Sequence, residues 1–231
     1  MGVRRRLRGI VELAASPRRS SPDPGGAREA QALAALGDRA LSERQYLDAV
    51  RDLRTYGTEA SVGALCDALA WTGHKSVTRA AVMALGRIGS PAAIDAIIAS
   101  LDFCDSDTVF QAAFILRVRD ERRAIPALVN CAVERGEELG TSTLLGLLRQ
   151  LCWMPSQASV EPLAPVLRHR SRKIRREAAK AIGVVGDASA LAALDAAATD
   201  LGWIRGFRAG TWAEHLRKTA PVSAPEDQQQ A

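Results

Sequence analysis

Between residue 47 and about residue 200, one pattern of apolar and polar positions recurs. Apolar residues fall at i, i+3, i+4 and i+7, a short polar break follows, and the spacing begins again. The stripe is plain in the second half of each unit: Val62, Leu65, Cys66, Leu69; then Ile94, Ile97, Ile98, Leu101; then Ile125, Leu128, Val129, Ala132. This period predicts amphipathic helices in pairs.

The copies can be set above one another. Residues 77–94, VTRAAVMALGRIGSPAAI, match residues 174–191, IRREAAKAIGVVGDASAL: Val77 with Ile174, Arg79 with Arg176, Leu85 with Ile182, Gly86 with Gly183, Gly89 with Gly186, Ile94 with Leu191. The two lie 97 positions apart, about three steps of about 32. Weaker copies fill the interval at 109–128 and 144–167, and another lies upstream at 47–69. That makes five helical hairpins. Gly89 and Gly186 stand where a first helix ends in a left-handed residue. Ser90 and Asp187 supply N-cap oxygens to the second helix, and Pro91 occupies its first position, where a missing N–H costs nothing. Gly86 and Gly183, inside a helix at a cost of about 1 kcal/mol each, imply a close packing approach. A hairpin of about 30 residues has apolar positions facing both its own partner helix and the next hairpin, so it buries them only when stacked. The expected fold is all-α, an α-solenoid of about five hairpins.

The pattern Val-x-x-Ala-Ala-x-x-Ala-Leu-Gly-x-Ile-Gly-Ser/Asp-x-x-Ala-Ile resembles HEAT repeats, specifically the short variety also found in phycobilisome lyases. The resemblance is strongest at Val77–Ile94 and Ile174–Leu191 and covers roughly residues 42–200. The copies at 108–134 and 140–168 depart from it by losing the Gly-x-x-Gly turn. The tetratricopeptide Trp-x-x-Leu-Gly-x-x-Tyr opening and the ankyrin Thr-Pro-Leu-His are absent. The resemblance implies a binding surface on a scaffold that hosts unrelated tasks, and not one particular chemistry.

Outside the array, residues 1–27 read as a short basic amphipathic helix (Val3, Leu7, Ile10 and Val11 on one side) followed by the flexible linker SPRRSSPDPGGA. The array proper spans 28–200 and opens with one short helix ending near Gly37. Residues 201–220, with Trp203, Phe207 and Trp212, are expected to cap the last repeat, and 221–231 form a polar disordered tail.

Composition narrows the picture. Of 231 residues 47% are hydrophobic and only 4% aromatic, which suits helices with small side chains in close approach and argues against a β-sandwich. The net charge of +5 and a pI near 9.4 permit an acidic protein or a nucleic acid as partner. The widely spaced Cys66, Cys104, Cys131 and Cys152 contain no CxxC pair and are expected to be buried free thiols. The N-terminus lacks an apolar run of signal-peptide length, and no stretch approaches the roughly 18 apolar residues of a membrane span, so a cytoplasmic protein without integral membrane association is expected.

Chemistry is sparse. His74, His169 and His215 have no neighbours at metal-ligand spacing, and no nucleotide, hydrolase or zinc-protease motif occurs. Gly86-Arg87-Ile88-Gly89 follows a helix and not a strand, so its glycines serve a turn. No cofactor and no catalytic residue are assigned. One cluster stands out, RHRSRKIRRE, with Arg168, Arg170, Arg172, Lys173, Arg175 and Arg176. Arg168 and Arg170 would end one helix, where cations favour the dipole. Lys173, Arg175 and Arg176 would begin the next, where the dipole opposes them. The leading reading is a non-enzymatic adaptor that binds another protein. The second is phosphate or nucleic-acid binding through this ridge, weakened by Asp67, Asp95, Glu161 and Asp195 on the second helices. The third, bilin-lyase-like chromophore handling, rests on the repeat subtype alone.

Overall fold

A computed structural model describes residues 25–37, 42–70, 74–200 and 211–218. The basic N-terminal stretch, the C-terminal tail and the aromatic residues Trp203 and Phe207 lie outside them. The described residues are helical with no strand among them, and they fall into two compact units, the chain dividing between Gln150 and Leu151.

In the first unit, α1 (Gly25–Leu36) begins three residues earlier than the stretch read as linker would allow. It packs on α2 (Glu43–Tyr56), which Ser42 and Gln45 open with a reciprocal capping box. Three hairpins follow in order: α2 with α3 (Val62–Ala70), α4 (Lys75–Ile88) with α5 (Pro91–Ser100), and α6 (Ser106–Val118) with α7 (Ile125–Glu134). First helices pack on first helices, α2 on α4 and α4 on α6. Their shared core is Leu53, Val77, Ala81, Leu85, Val109, Ala113 and Leu116, all almost fully buried. The alanines among them let the helix axes approach; this is the α-solenoid arrangement of stacked hairpins. α8 (Thr141–Trp153) begins the fourth repeat.

The second unit carries the second helix of that repeat, α9 (Val160–Leu163), continued as a 3₁₀ turn over Ala164–Arg168. The stripe seen in the sequence survives, with Val160, Leu163, Val166 and Leu167 buried, but the helix does not stay α. Pro165 has no N–H for the Glu161 carbonyl, and the segment tightens there. α10 (Arg172–Gly183) pairs with α11 (Ala188–Asp200), and a last helix, α12, spans 211–218.

The turns divide the repeats into two kinds. Gly89 (φ 67°) and Gly186 (φ 78°) are left-handed, as the sequence predicts. Ser90 Oγ and Asp187 Oδ1 then accept from the amides of Ala93 and Ala190, at 3.2 and 2.8 Å, and each second helix starts at once. The repeats without this turn enter their second helix through a 3₁₀ turn: Glu59–Ser61, Arg122–Ala124 and Gln157–Ser159.

The interior glycines answer the packing question. A Cβ on Gly86 would lie 2.8 Å from Ile115 Cδ1, and one on Gly183 would lie 2.5 Å from Trp212 Cε3. In both cases the side chain inserted against the glycine comes 29 residues later, from the next helix that packs there. α12 thus occupies the position of a further first helix. It buries Ala213 and Leu216 and leaves Glu214, His215, Arg217 and Lys218 outward.

Candidate functional site

The basic cluster lies on the second unit, where the 3₁₀ turn ends and α10 begins. Arg168 is the last residue of the turn, Arg170 stands in the three-residue loop and not on a helix end, and Arg172 and Lys173 open α10. Arg168, Arg170, Arg172, Lys173 and Arg176 are exposed.

Arg175 behaves differently. It is half-buried, and its Nη1 donates to the carbonyls of His169 and Arg170, each at 2.9 Å, while Nε is buried and without a hydrogen-bond partner. The amide of Ser171 donates to His169 Nδ1 at 2.9 Å. The loop is therefore held by its own side chains, and it presents Arg170, Arg172 and Lys173 from a fixed backbone. Arg176 Nη2 pairs with Glu177 Oε1 at 3.2 Å, and Glu177 is 6% exposed. Ser171 makes no side-chain cap to α10, and the first turn of α10 has no acidic residue. Arg172 and Lys173 thus meet the positive end of the helix dipole with no ion pair among the described residues.

The histidines make local contacts. His74 Nδ1 lies 3.1 Å from Glu43 Oε2, and His215 meets Trp212 edge-to-face at 5.6 Å. No group of three or more metal-ligating side chains occurs among the described residues, nor is any helix there long and apolar enough to cross a membrane. All four cysteines are free, but only Cys104 and Cys131 are buried. Burial pushes both of these thiols up to about 11. Cys66 sits on the shoulder of its helical stripe, at the position of the half-buried Ile98, and Cys152 is half-buried too. Of the four second-helix acids, Asp95 pairs with Arg123 at 2.6 Å and Asp195 with Arg217, while Asp67 and Glu161 are exposed.

One feature of this region escapes the sequence. Lys180 continues the line of Arg172 and Arg176 at i+4 and i+8, and a recess lined by Arg176, Glu177, Lys180, Thr211 and Trp212 opens beside it. The i, i+4 spacing was readable; the arrival of Trp212 was not.

The sequence profile described as HEAT repeats matches residues 30–116 and 141–207. No curated protein matches the sequence. Among solved structures, an engineered protein from a structural-genomics programme superposes with a TM-score of 0.53 at 18% identity, covering 83% of this chain and 97% of its own. The complex of CpcE and CpcF of phycocyanin lyase from Nostoc sp. gives a TM-score of 0.41 at 18% identity over 93% of this chain and 90% of its own. Human deoxyhypusine hydroxylase gives 0.34 at 18% identity over 91% and 96%. At these identities the likeness concerns fold and carries no activity with it. With the profile matching over both stretches and the hairpins stacked at its period, the chain belongs to the HEAT repeat family.

Proposed function

We propose that this protein is a non-enzymatic adaptor whose HEAT array binds another protein, and that the basic edge of its last repeat, Arg168 to Arg176, is the docking surface. One observation supports this above the rest. Arg172 and Lys173 are exposed at the positive end of a twelve-residue helix, without a carboxylate in its first turn. Each such charge disfavours the free protein by about 0.3–1 kcal/mol, so helix stability does not account for them. A partner bearing negative charge reverses the sign of that contribution. α12, polar on its outer side, serves in this reading as the cap that closes the array.

The test is a pair of measurements on Arg172→Glu/Lys173→Glu. Affinity purification with the wild-type chain is expected to recover a stoichiometric protein partner that the variant loses. The variant's thermal midpoint is expected to stay level or rise. A partner retained by the variant would remove the ridge from this role. The same chemistry admits phosphate, and binding to a nucleic acid would show affinity falling steeply with salt. The exposed Asp67 and Glu161 on the second helices stand against that reading.

A further inference from the structure

The ridge does not stop at Arg176. Arg172, Arg176 and Lys180 lie at i, i+4 and i+8 of α10, all exposed, so they form one stripe about 12 Å long. At its far end is the recess between α10 and α12, with Thr211 and Trp212 as the opposite wall. Glu177 lies at its base, and its carboxylate holds the Arg176 guanidinium at 3.2 Å on that side. In the second and third repeats the matching position is Ala80 or Ala112 and in the first it is the exposed Asp48, so among these four Glu177 is the buried carboxylate.

Trp212 decides what class of molecule fits. One side of its ring is committed to the backbone at Gly183, and the ring meets His215 edge-to-face at 5.6 Å. A half-buried indole held in this way offers an apolar border to the recess. Beside it runs the row of three cations, about 12 Å long. Carboxylates spaced along a peptide suit it, with an aliphatic side chain entering beside the indole.

We infer that the stripe Arg172–Arg176–Lys180 and the Trp212 recess together take an acidic protein segment that carries one aliphatic side chain among its carboxylates. This rests on the adaptor reading and gives its partner a chemical class.

The test uses the full chain and a 14-residue peptide of Asp and Glu with a single central Leu, titrated calorimetrically at low salt. A single-stranded oligonucleotide of equal charge and a peptide with Leu replaced by Ser serve as comparators. The Leu peptide is expected to bind at least tenfold more tightly than the oligonucleotide and several-fold more tightly than the Ser peptide. Arg176→Gln/Lys180→Gln is expected to weaken it at least tenfold. Circular dichroism melts show whether that variant is folded; if it is not, Lys180→Glu alone provides the comparison. Equal binding of the oligonucleotide, indifference to Leu, or no binding at all would each overturn the inference. A cellular partner that is lost by Arg172→Glu/Lys173→Glu but kept by Arg176→Gln/Lys180→Gln would overturn it while leaving the adaptor reading intact.

Discussion

Asp120 holds its backbone at φ 51°, the one non-glycine residue in the left-handed region among those described. It sits where the third repeat turns, with its amide donating to Arg117 O at 3.0 Å and the amide of Glu121 donating to Leu116 O at 2.9 Å. This is the paired hydrogen bonding of a left-handed helix end, built without glycine. The conformation costs an L-residue about 1–2 kcal/mol, and the exposed ion pair of Asp120 with Arg122 at 3.6 Å offsets little of it. Asp120→Gly is expected to raise stability by about 0.5–1 kcal/mol in denaturant melts. Gly86 is the opposite case: alanine gains about 1 kcal/mol of helix propensity but drives its Cβ into Ile115, at a cost of about 1–3 kcal/mol. Gly86→Ala should therefore destabilise the protein, and should become stabilising in an Ile115→Ala background. Glu29, 8% exposed, accepts from the Thr58 amide at 2.7 Å, the Thr58 hydroxyl at 2.8 Å and the Ser61 hydroxyl at 2.5 Å. Burial alone would raise its pKa, but these three hydrogen bonds outweigh it and hold the carboxyl below its ordinary value. A depressed folded pKa stabilises fully above the unfolded value of about 4.3, and that stability is lost as pH falls through the folded value. Glu29→Gln is expected to cost about 1 kcal/mol at neutral pH and to flatten the acid limb of the stability curve below about pH 4.

Between helices, arginines tie one repeat to the one before. Arg87 Nη1 donates to Arg54 O at 3.4 Å, and 32 residues on, Arg119 donates to Gly86 O through Nε at 3.0 Å and Nη2 at 2.6 Å. Each acceptor is the carbonyl two residues before the end of a first helix, where the last turn leaves oxygens without amide partners. Arg135 does the same for the end of α5, donating to Leu101 O at 2.6 Å and Cys104 O at 2.9 Å. Little of this was legible in the sequence. Helix ends marked by Gly89, Ser90 and Pro91 could be read because local chemistry alone decides them. Arg87 and Arg119 read as ordinary surface charges because their acceptors are backbone atoms a full repeat away. The same blindness hid the left-handed Asp120, whose residue type does not demand that conformation, and the carboxylate of Glu29, whose partners lie about 30 positions downstream.

For the molecule as a whole, the repeat period was the most legible property, since five approximate copies constrain one another where a single copy is ambiguous. The candidate surface was legible as composition and not as geometry. Charge clustering located the ridge, yet Arg175 turned inward to its own loop, Lys180 extends the ridge by its i+4 spacing from Arg176, and Trp212 joined the surface only through packing. The melting experiment on Arg172→Glu/Lys173→Glu belongs to this scale, because it asks whether surface charge is kept against the stability of the fold. The arginine ties have a consequence of their own. A chain fastened once per period is quantised in length. Excising residues 87–118 would splice Arg119 directly onto Gly86 and give the Arg54 carbonyl a new donor, whereas a cut out of step would orphan that oxygen and the helix end it closes.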